Sequence, residues 1–180
     1  MTLRPKKPSE SKVVTTHFVM PDDTNHLGYL LGGRLLHWMD LVAAIVSQKH
    51  SERVTVTVAV DNVEFNRPIG LGDIVTIEGF VTRAFNTSME VFIDVWAENV
   101  PKGNRYHATS AFYTFVAIDS AGKPIPVCPV EPKTEREKYL FETAILRREF
   151  RLFMAGRINI ESLDKMVERL REVRNTLSNF

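Results

Sequence analysis

Cysteine is almost missing from this chain: Cys128 is the only one in 180 residues. An internal disulfide and any cysteine-rich metal site are therefore excluded, and a reduced, cytoplasmic setting fits. Long apolar runs are missing too. The longest, Leu35 to Val46, is broken by His37 and Asp40 and falls short of the ~20 residues that a membrane span needs. The opening MTLRPKKPSESK carries basic residues without the apolar stretch of a signal peptide. No charge predominates: 23 Lys and Arg against 22 Asp and Glu leave a net +1, so no global field recruits nucleic acid or an anionic membrane. None of the five histidines stands at metal-ligand spacing, and the sequence has no internal repeat or low-complexity segment. With 44% hydrophobic residues the chain can bury the core of one soluble domain.

The order of predicted elements points to an architecture. Residues 1–11 read as a flexible leader. Lys12 to Met20 is a short β-rich run, and an apolar helix follows over about Gly32 to His50. Arg53 to Asn66 alternates Val54, Val56, Val58 and Val60 with Thr55, Thr57, Ala59 and Asp61, which is the period of a strand with two unlike faces. After the turn Arg67 to Asp73, further strands are expected over 73–82, 88–100 and 105–119. The connections FNT and PKGN are short enough for antiparallel neighbours. Strands of roughly 10 to 15 residues exceed the usual five or six, and long antiparallel strands can curve around a filler. The apolar helix is the filler, so an α+β hotdog fold is expected over residues 12–122. Residues 123–180 then form a proline-containing connection and charged helices over Thr134 to Phe153 and Ile160 to Leu177.

The helix carries the chemistry. Leu35, Leu36, Trp38, Met39 and Leu41 to Val46 cover nearly its whole circumference, which predicts burial on all sides. Asp40 is costly in such a setting unless something holds it. The helix opens with Gly32-Gly33, where backbone amides are free and the dipole is positive. The loop residue Asn25 lies shortly before and can fold back to offer its side-chain N–H beside the Gly32 amide. Asp40, however, stands eight residues beyond Gly32, roughly 12 Å along the axis at ~1.5 Å per residue. A reacting carbonyl needs its oxyanion donors and its attacking group each within about 3 Å. One helix cannot serve both, whereas two antiparallel copies across a two-fold axis can. A homodimer with two composite sites is expected.

The blocks PDDTNHLGYLLGGRLLHWMD, VTVAVDNVEFNRPIGLGDIV and TSMEVFIDVWAEN, followed by EPKTEREK, resemble the acyl-CoA thioester hydrolases of the hotdog superfamily, the cytosolic members above all. The resemblance implies hydrolysis of acyl-CoA to free acid and CoA with no metal and no cofactor beyond the CoA of the substrate. It also implies dimers that often assemble into hexamers as trimers of dimers. By position, Asp40 matches the catalytic carboxylate, Asn25 the amide from the facing subunit, and Gly32, with Gly33 beside it, the helix-start donor. Thr87, Ser88 and Met89 match the region flanking the CoA arm. Where some relatives carry a hydroxyl one turn past the acid, this chain has Ala44. The phosphates of CoA need a local basic cluster, for which Arg67, Arg83 and the pair Arg147 and Arg148 are candidates.

Other readings compete. Asp40 could be a structural acid, paired for instance with His37 three residues before it. Asn25 could be a turn residue of the DDTN loop, and Gly32-Gly33 could serve close helix packing. The domain could hold acyl-CoA without cleaving it, although a carboxylate aimed at a thioester suits a hydrolase. A hotdog dehydratase would want a histidine base, and only His26 is near.

Overall fold

The computed structural model describes residues 4–158 and 168. The chain forms two compact units that meet in sequence at Glu131 and Pro132. In the first, a short helix α1 (Pro8–Ser11) precedes strand β1 (Val13–Phe18), helix α2 (Gly32–Ser51) and strands β2 (Val54–Val60), β3 (Ile74–Ala84), β4 (Ser88–Asn99) and β5 (Asn104–Ile118). The strands make one antiparallel sheet in the order β1-β3-β4-β5-β2. In the second unit, helix α3 (Glu135–Met154) opens with a reciprocal cap. The Thr134 hydroxyl accepts from the Glu137 N–H at 3.2 Å, and the Glu137 carboxylate accepts from the Thr134 N–H at 3.0 Å. The second charged helix, read over Ile160 to Leu177, falls outside the described residues except for Glu168.

The sheet is a hotdog sheet, curled around α2. Register shifts at Thr57/Ala59, Val81/Arg83 and Val95/Trp96 place an extra residue in β2, β3 and β5 and bend those strands. Its concave face meets one side of α2: Leu35, Met39, Val42, Ala43 and Val46, at the spacing of a single helical stripe, are at most 3% exposed, as are Val75, Ile77, Val91, Ile93 and Val95 beneath them. Gly79 sets how closely helix and sheet approach. A Cβ there would stand 2.6 Å from Ile93 Cδ1 and 3.2 Å from methyls of both Val42 and Val46.

The expectation that α2 is buried on all sides does not hold within one chain. Leu41 and Ile45 are 48% and 47% exposed, because the sheet covers only one side of the helix. Strand β2 also departs from the reading. It stops at Val60, and its valine face is the outward one: Val54, Val56, Val58 and Val60 are all exposed, while Thr55 is buried against α2.

The C-terminal end of α2 is strapped. Lys6 Nζ donates to the carbonyls of Lys49 (3.1 Å) and His50 (2.8 Å) and pairs with Glu52 at 2.7 Å. Residues 6–11, read from sequence as a loose leader, hold a bridge to Val130 and the α1 turn. The buried His50 ring bonds the Cys128 carbonyl through Nε2 at 3.0 Å, and the Cys128 thiol donates to the His50 carbonyl at 3.1 Å. Burial pushes the His50 pKa below its ordinary 6.5, with Lys6 adding to the effect.

Two outcomes follow from this packing. Gly79→Ala should destabilise the fold by about 1–3 kcal/mol, as overpacking of a filled core does, read as a lower midpoint in urea unfolding at unchanged slope. For His50, the unfolded chain binds the proton more readily than the fold does. Its contribution is therefore intact above pH 6.5 and is lost as pH falls below that value toward the depressed folded pKa. The melting temperature should drop between pH 7 and 5, and His50→Gln should flatten that drop.

Candidate active site

A cavity of about 380 Å³ opens beside the start of α2, lined among others by Asn25, Tyr29, Gly32, Leu35, Phe65 and Arg67. The loop that brings Asn25 there is closed on itself. The Asn25 Oδ1 accepts from the N–H groups of Leu27 (2.9 Å) and Tyr29 (3.2 Å), and its own N–H donates to the Tyr29 carbonyl at 2.8 Å. The turn requires Gly28, whose φ of +75° suits glycine. With Oδ1 occupied, the amide orientation is fixed and the Nδ2 hydrogens remain for a ligand. The turn role of Asn25 thus leaves its side-chain donor open.

Helix α2 begins without a side-chain cap, its N-cap being Leu31. Neither the Gly32 nor the Gly33 N–H has an acceptor among the described residues. Gly32 lies under Phe65, with 3.4 Å between a virtual Cβ and the ring, whereas Gly33 faces open space. The Gly32 backbone and the Asn25 side chain therefore line one cavity at the positive end of a 20-residue helix, with the open Gly33 amide next in sequence.

Asp40 is not in this cavity. It lies half-buried on α2, two turns on, and its Oδ1 accepts from the Thr57 hydroxyl at 3.1 Å. Its carboxylate adds to burial in raising the buried Tyr113 phenol. Sheet register separates the two places. The cavity reaches Thr109 of β5, whereas Thr57 pairs with Phe115, six residues further along that strand. At ~3.4 Å per residue this is roughly 20 Å. Asn25 and Gly32 are brought together within one chain, and Asp40 is held apart from them.

Thr57 is the residue that sequence reasoning missed. Ala44, one turn past the acid, offers no hydroxyl, and His37 is exposed with no bond to Asp40. The hydroxyl comes from β2 instead. A paired threonine-serine contact, Ser47 Oγ to Thr55 Oγ1 at 2.6 Å, lies beside it and closes the polar face of β2 onto α2. The signal was present as the threonines that alternate with the valines.

The remaining candidates spread out. Arg67 lines the cavity and sits 5.5 Å over the Tyr106 ring. Arg83 lies 5.9 Å over the Phe85 ring, next to the β3–β4 turn. Thr87 and Ser88 in that turn are half-buried, but Met89 is fully buried in the core. Met89 pairs with Phe115, so the turn adjoins the Asp40–Thr57 row of the sheet. In α3 the Arg147 guanidinium bonds Thr143 Oγ1 and the Leu140 carbonyl, both at 2.8 Å. His26 is exposed. Among the described residues no three His, Cys, Asp or Glu side chains gather as metal ligands, and no helix is long and apolar enough to cross a membrane.

A hotdog sheet, a bare helix N-terminus and a lone carboxylate on the same helix define the thioesterase class of this fold. Residues 27–103 match the thioesterase superfamily, and the chain belongs to it. It is similar to the uncharacterized acyl-CoA thioester hydrolase YkhA of Bacillus subtilis, at 47% identity over 77% of this chain and 80% of that one. Among solved structures it is similar to an apo-hexameric acyl-CoA thioesterase (TM-score 0.83, 42% identity, 85% and 98% of the two chains covered). It is also similar to an acyl-CoA hydrolase from Staphylococcus aureus in complex with butyryl coenzyme A, coenzyme A and coenzyme A disulfide (TM-score 0.78, 38% identity, 92% and 98%). Structures of that enzyme include variants with one aspartate, one asparagine or one threonine replaced by alanine.

Proposed function

We propose that this chain hydrolyses acyl-CoA thioesters to a free acid and CoA at two sites, each shared between two subunits of a homodimer. The observation that carries this is the separation of Asn25 and Gly32 from the Asp40–Thr57 pair, on a helix whose carboxylate side is left uncovered. The surface around Asp40 supports the dimer. Leu41 and Ile45 of α2 are exposed, as are the four valines of β2, an edge strand with an unpaired edge. Antiparallel apposition of two such faces would bring Gly32 of one chain toward Asp40 of the partner subunit.

In that arrangement the thioester carbonyl accepts hydrogen bonds from the Gly32 N–H and Asn25 Nδ2, with Gly33 behind them. Asp40 of the partner subunit takes a proton from water, whose oxygen attacks the carbonyl carbon. The oxyanion that forms is stabilised by the donors and the helix dipole. It collapses with departure of the CoA thiolate, to which the proton returns. Thr57 holds Oδ1 of Asp40, which leaves the other oxygen to the water. The three alanine variants of the Staphylococcus aureus enzyme support these assignments: their positions are separated by the same intervals as Asn25, Asp40 and Thr57.

The CoA arm is read as crossing Thr87 and Ser88, with Arg67 and Arg83 as candidates for its phosphates and Met89 contributing only through the packing of that turn. The reaction uses no cofactor other than the CoA of its substrate. Assembly of the dimer into a hexamer is supported by the hexameric relative, and a cytoplasmic location by the similar cytosolic enzyme of Rattus norvegicus. The latter shares 39% identity over 37% of its own length.

Asp40→Asn should lower kcat by at least the 10²- to 10⁴-fold that general base catalysis supplies, with KM little changed. Thr57→Ala should lose less, and Thr57→Ser, which keeps the hydroxyl, should retain most of the rate. Free-thiol release on acyl-CoA measures all three. An Asp40→Asn protein with more than half the wild-type kcat would contradict the reading.

A further inference from the structure

The first turn of α2 carries its charge at the wrong end of the dipole. It contains no acid, and its third residue is Arg34, although cations near a helix N-terminus are ordinarily unfavourable. Arg34 Nε donates to Asp23 Oδ1 at 3.0 Å, and the Asp23 side chain is the more buried partner, at 14% exposure against 41%. Asp23 in turn holds both ends of the Asn25 loop. Its Oδ2 accepts from the Met20 N–H at 3.1 Å, and its own N–H donates to the Met20 carbonyl at 3.0 Å. Its carbonyl accepts at 2.9 Å from the N–H of Leu31, the N-cap residue directly before Gly32.

We propose that the Arg34–Asp23 pair is the positioning device of the oxyanion donors, with Arg34 acting through Asp23 on Asn25 and on the α2 N-terminus. The inference rests on the reading of Asn25 and Gly32 as those donors. Two effects combine in it. The ion pair fixes the loop against the helix start, so the Asn25 amide and the Gly32 N–H keep their mutual geometry. Arg34 also cancels the Asp23 charge. An uncompensated carboxylate beside the first turn would compete for the open amides and repel an anion forming there. This second effect explains why a cation is kept where the dipole alone disfavours one.

The two effects give an unusual mutational signature. Displacing a reacting group by about 1 Å costs on the order of 100-fold in rate, so Arg34→Gln should lower kcat roughly 10- to 100-fold. KM for acyl-CoA should change less than threefold on the order-of-magnitude reasoning that only transition-state stabilisation is lost. Arg34→Lys, which keeps the charge, should recover part of the rate. The double variant Asp23→Asn with Arg34→Gln should be faster than Arg34→Gln alone, because the stranded carboxylate is gone. A residue serving stability alone would not give that recovery.

The experiment is steady-state kinetics of wild type and these three variants, with thermal melts establishing that each is folded. Arg34→Gln with more than half the wild-type kcat would overturn the inference, as would a double variant no faster than Arg34→Gln. So would a rise in KM at unchanged kcat that vanishes with an acyl-pantetheine lacking the nucleotide, since Arg34 would then be holding CoA itself. Asp40→Asn assayed alongside separates the two levels. If it is active, the reaction is misread. If it is inactive while Arg34→Gln keeps full kcat, only the positioning role fails.

Discussion

A helix rises ~1.5 Å per residue, and the amides at Gly32 and the carboxylate at Asp40 are eight residues apart on one α2. The proposed reaction needs both at a single carbonyl, and no bend of a 20-residue helix packed on a sheet can bring them together. The rest of the architecture answers that constraint. The sheet takes one side of α2, where Gly79 allows close approach. The opposite side keeps Leu41 and Ile45 at the surface, with Asp40 half-buried between α2 and β2. The helix is apolar on two sides, of which this chain covers one; the proposed dimer would cover the other.

Holding α2 still requires satisfying its polar groups away from the sheet. At its C-terminal end Lys6 takes up two carbonyls, and His50 exchanges hydrogen bonds with Cys128. In the middle, Ser47–Thr55 and Asp40–Thr57 join it to β2. At the N-terminal end the pattern reverses. No side chain caps the helix, the N–H groups of Gly32 and Gly33 have no acceptor among the described residues, and Gly32 lines the cavity. A helix whose polar groups are satisfied along its length while its first amides stay open keeps its binding capacity in one place.

Much of this was legible in the sequence. Alternation and tight turns gave β3, β4 and β5 nearly to the residue, the apolar run gave α2, and Gly32-Gly33, Asn25 and Asp40, the residues on which the proposed chemistry rests, each stood out of place in its local pattern. Two features were not legible. Alternation in β2 shows two unlike faces without saying which turns inward, and the apolar face proved to be the outward one. Thr57 was hidden for the same reason, since a threonine in a β-rich run has an ordinary place there. Its role depends on a pairing with α2 that spans 17 residues. The apolar circumference of α2 predicts burial on all sides, but within this chain the sheet buries only one of them.

The claim that one site is built from two chains is tested most directly by mixing two inactive proteins. Asn25→Ala lacks the donor and Asp40→Asn lacks the acid, so each homodimer has two damaged sites. Unfolded together and refolded, they form mixed dimers in which one site pairs an intact Asn25 with an intact Asp40. Random pairing makes about half the dimers mixed, each with one whole site of two, so roughly a quarter of wild-type activity should return. Mixed dimers verified by mass spectrometry that remain inactive would show that both residues act within one chain, and the composite site would be wrong.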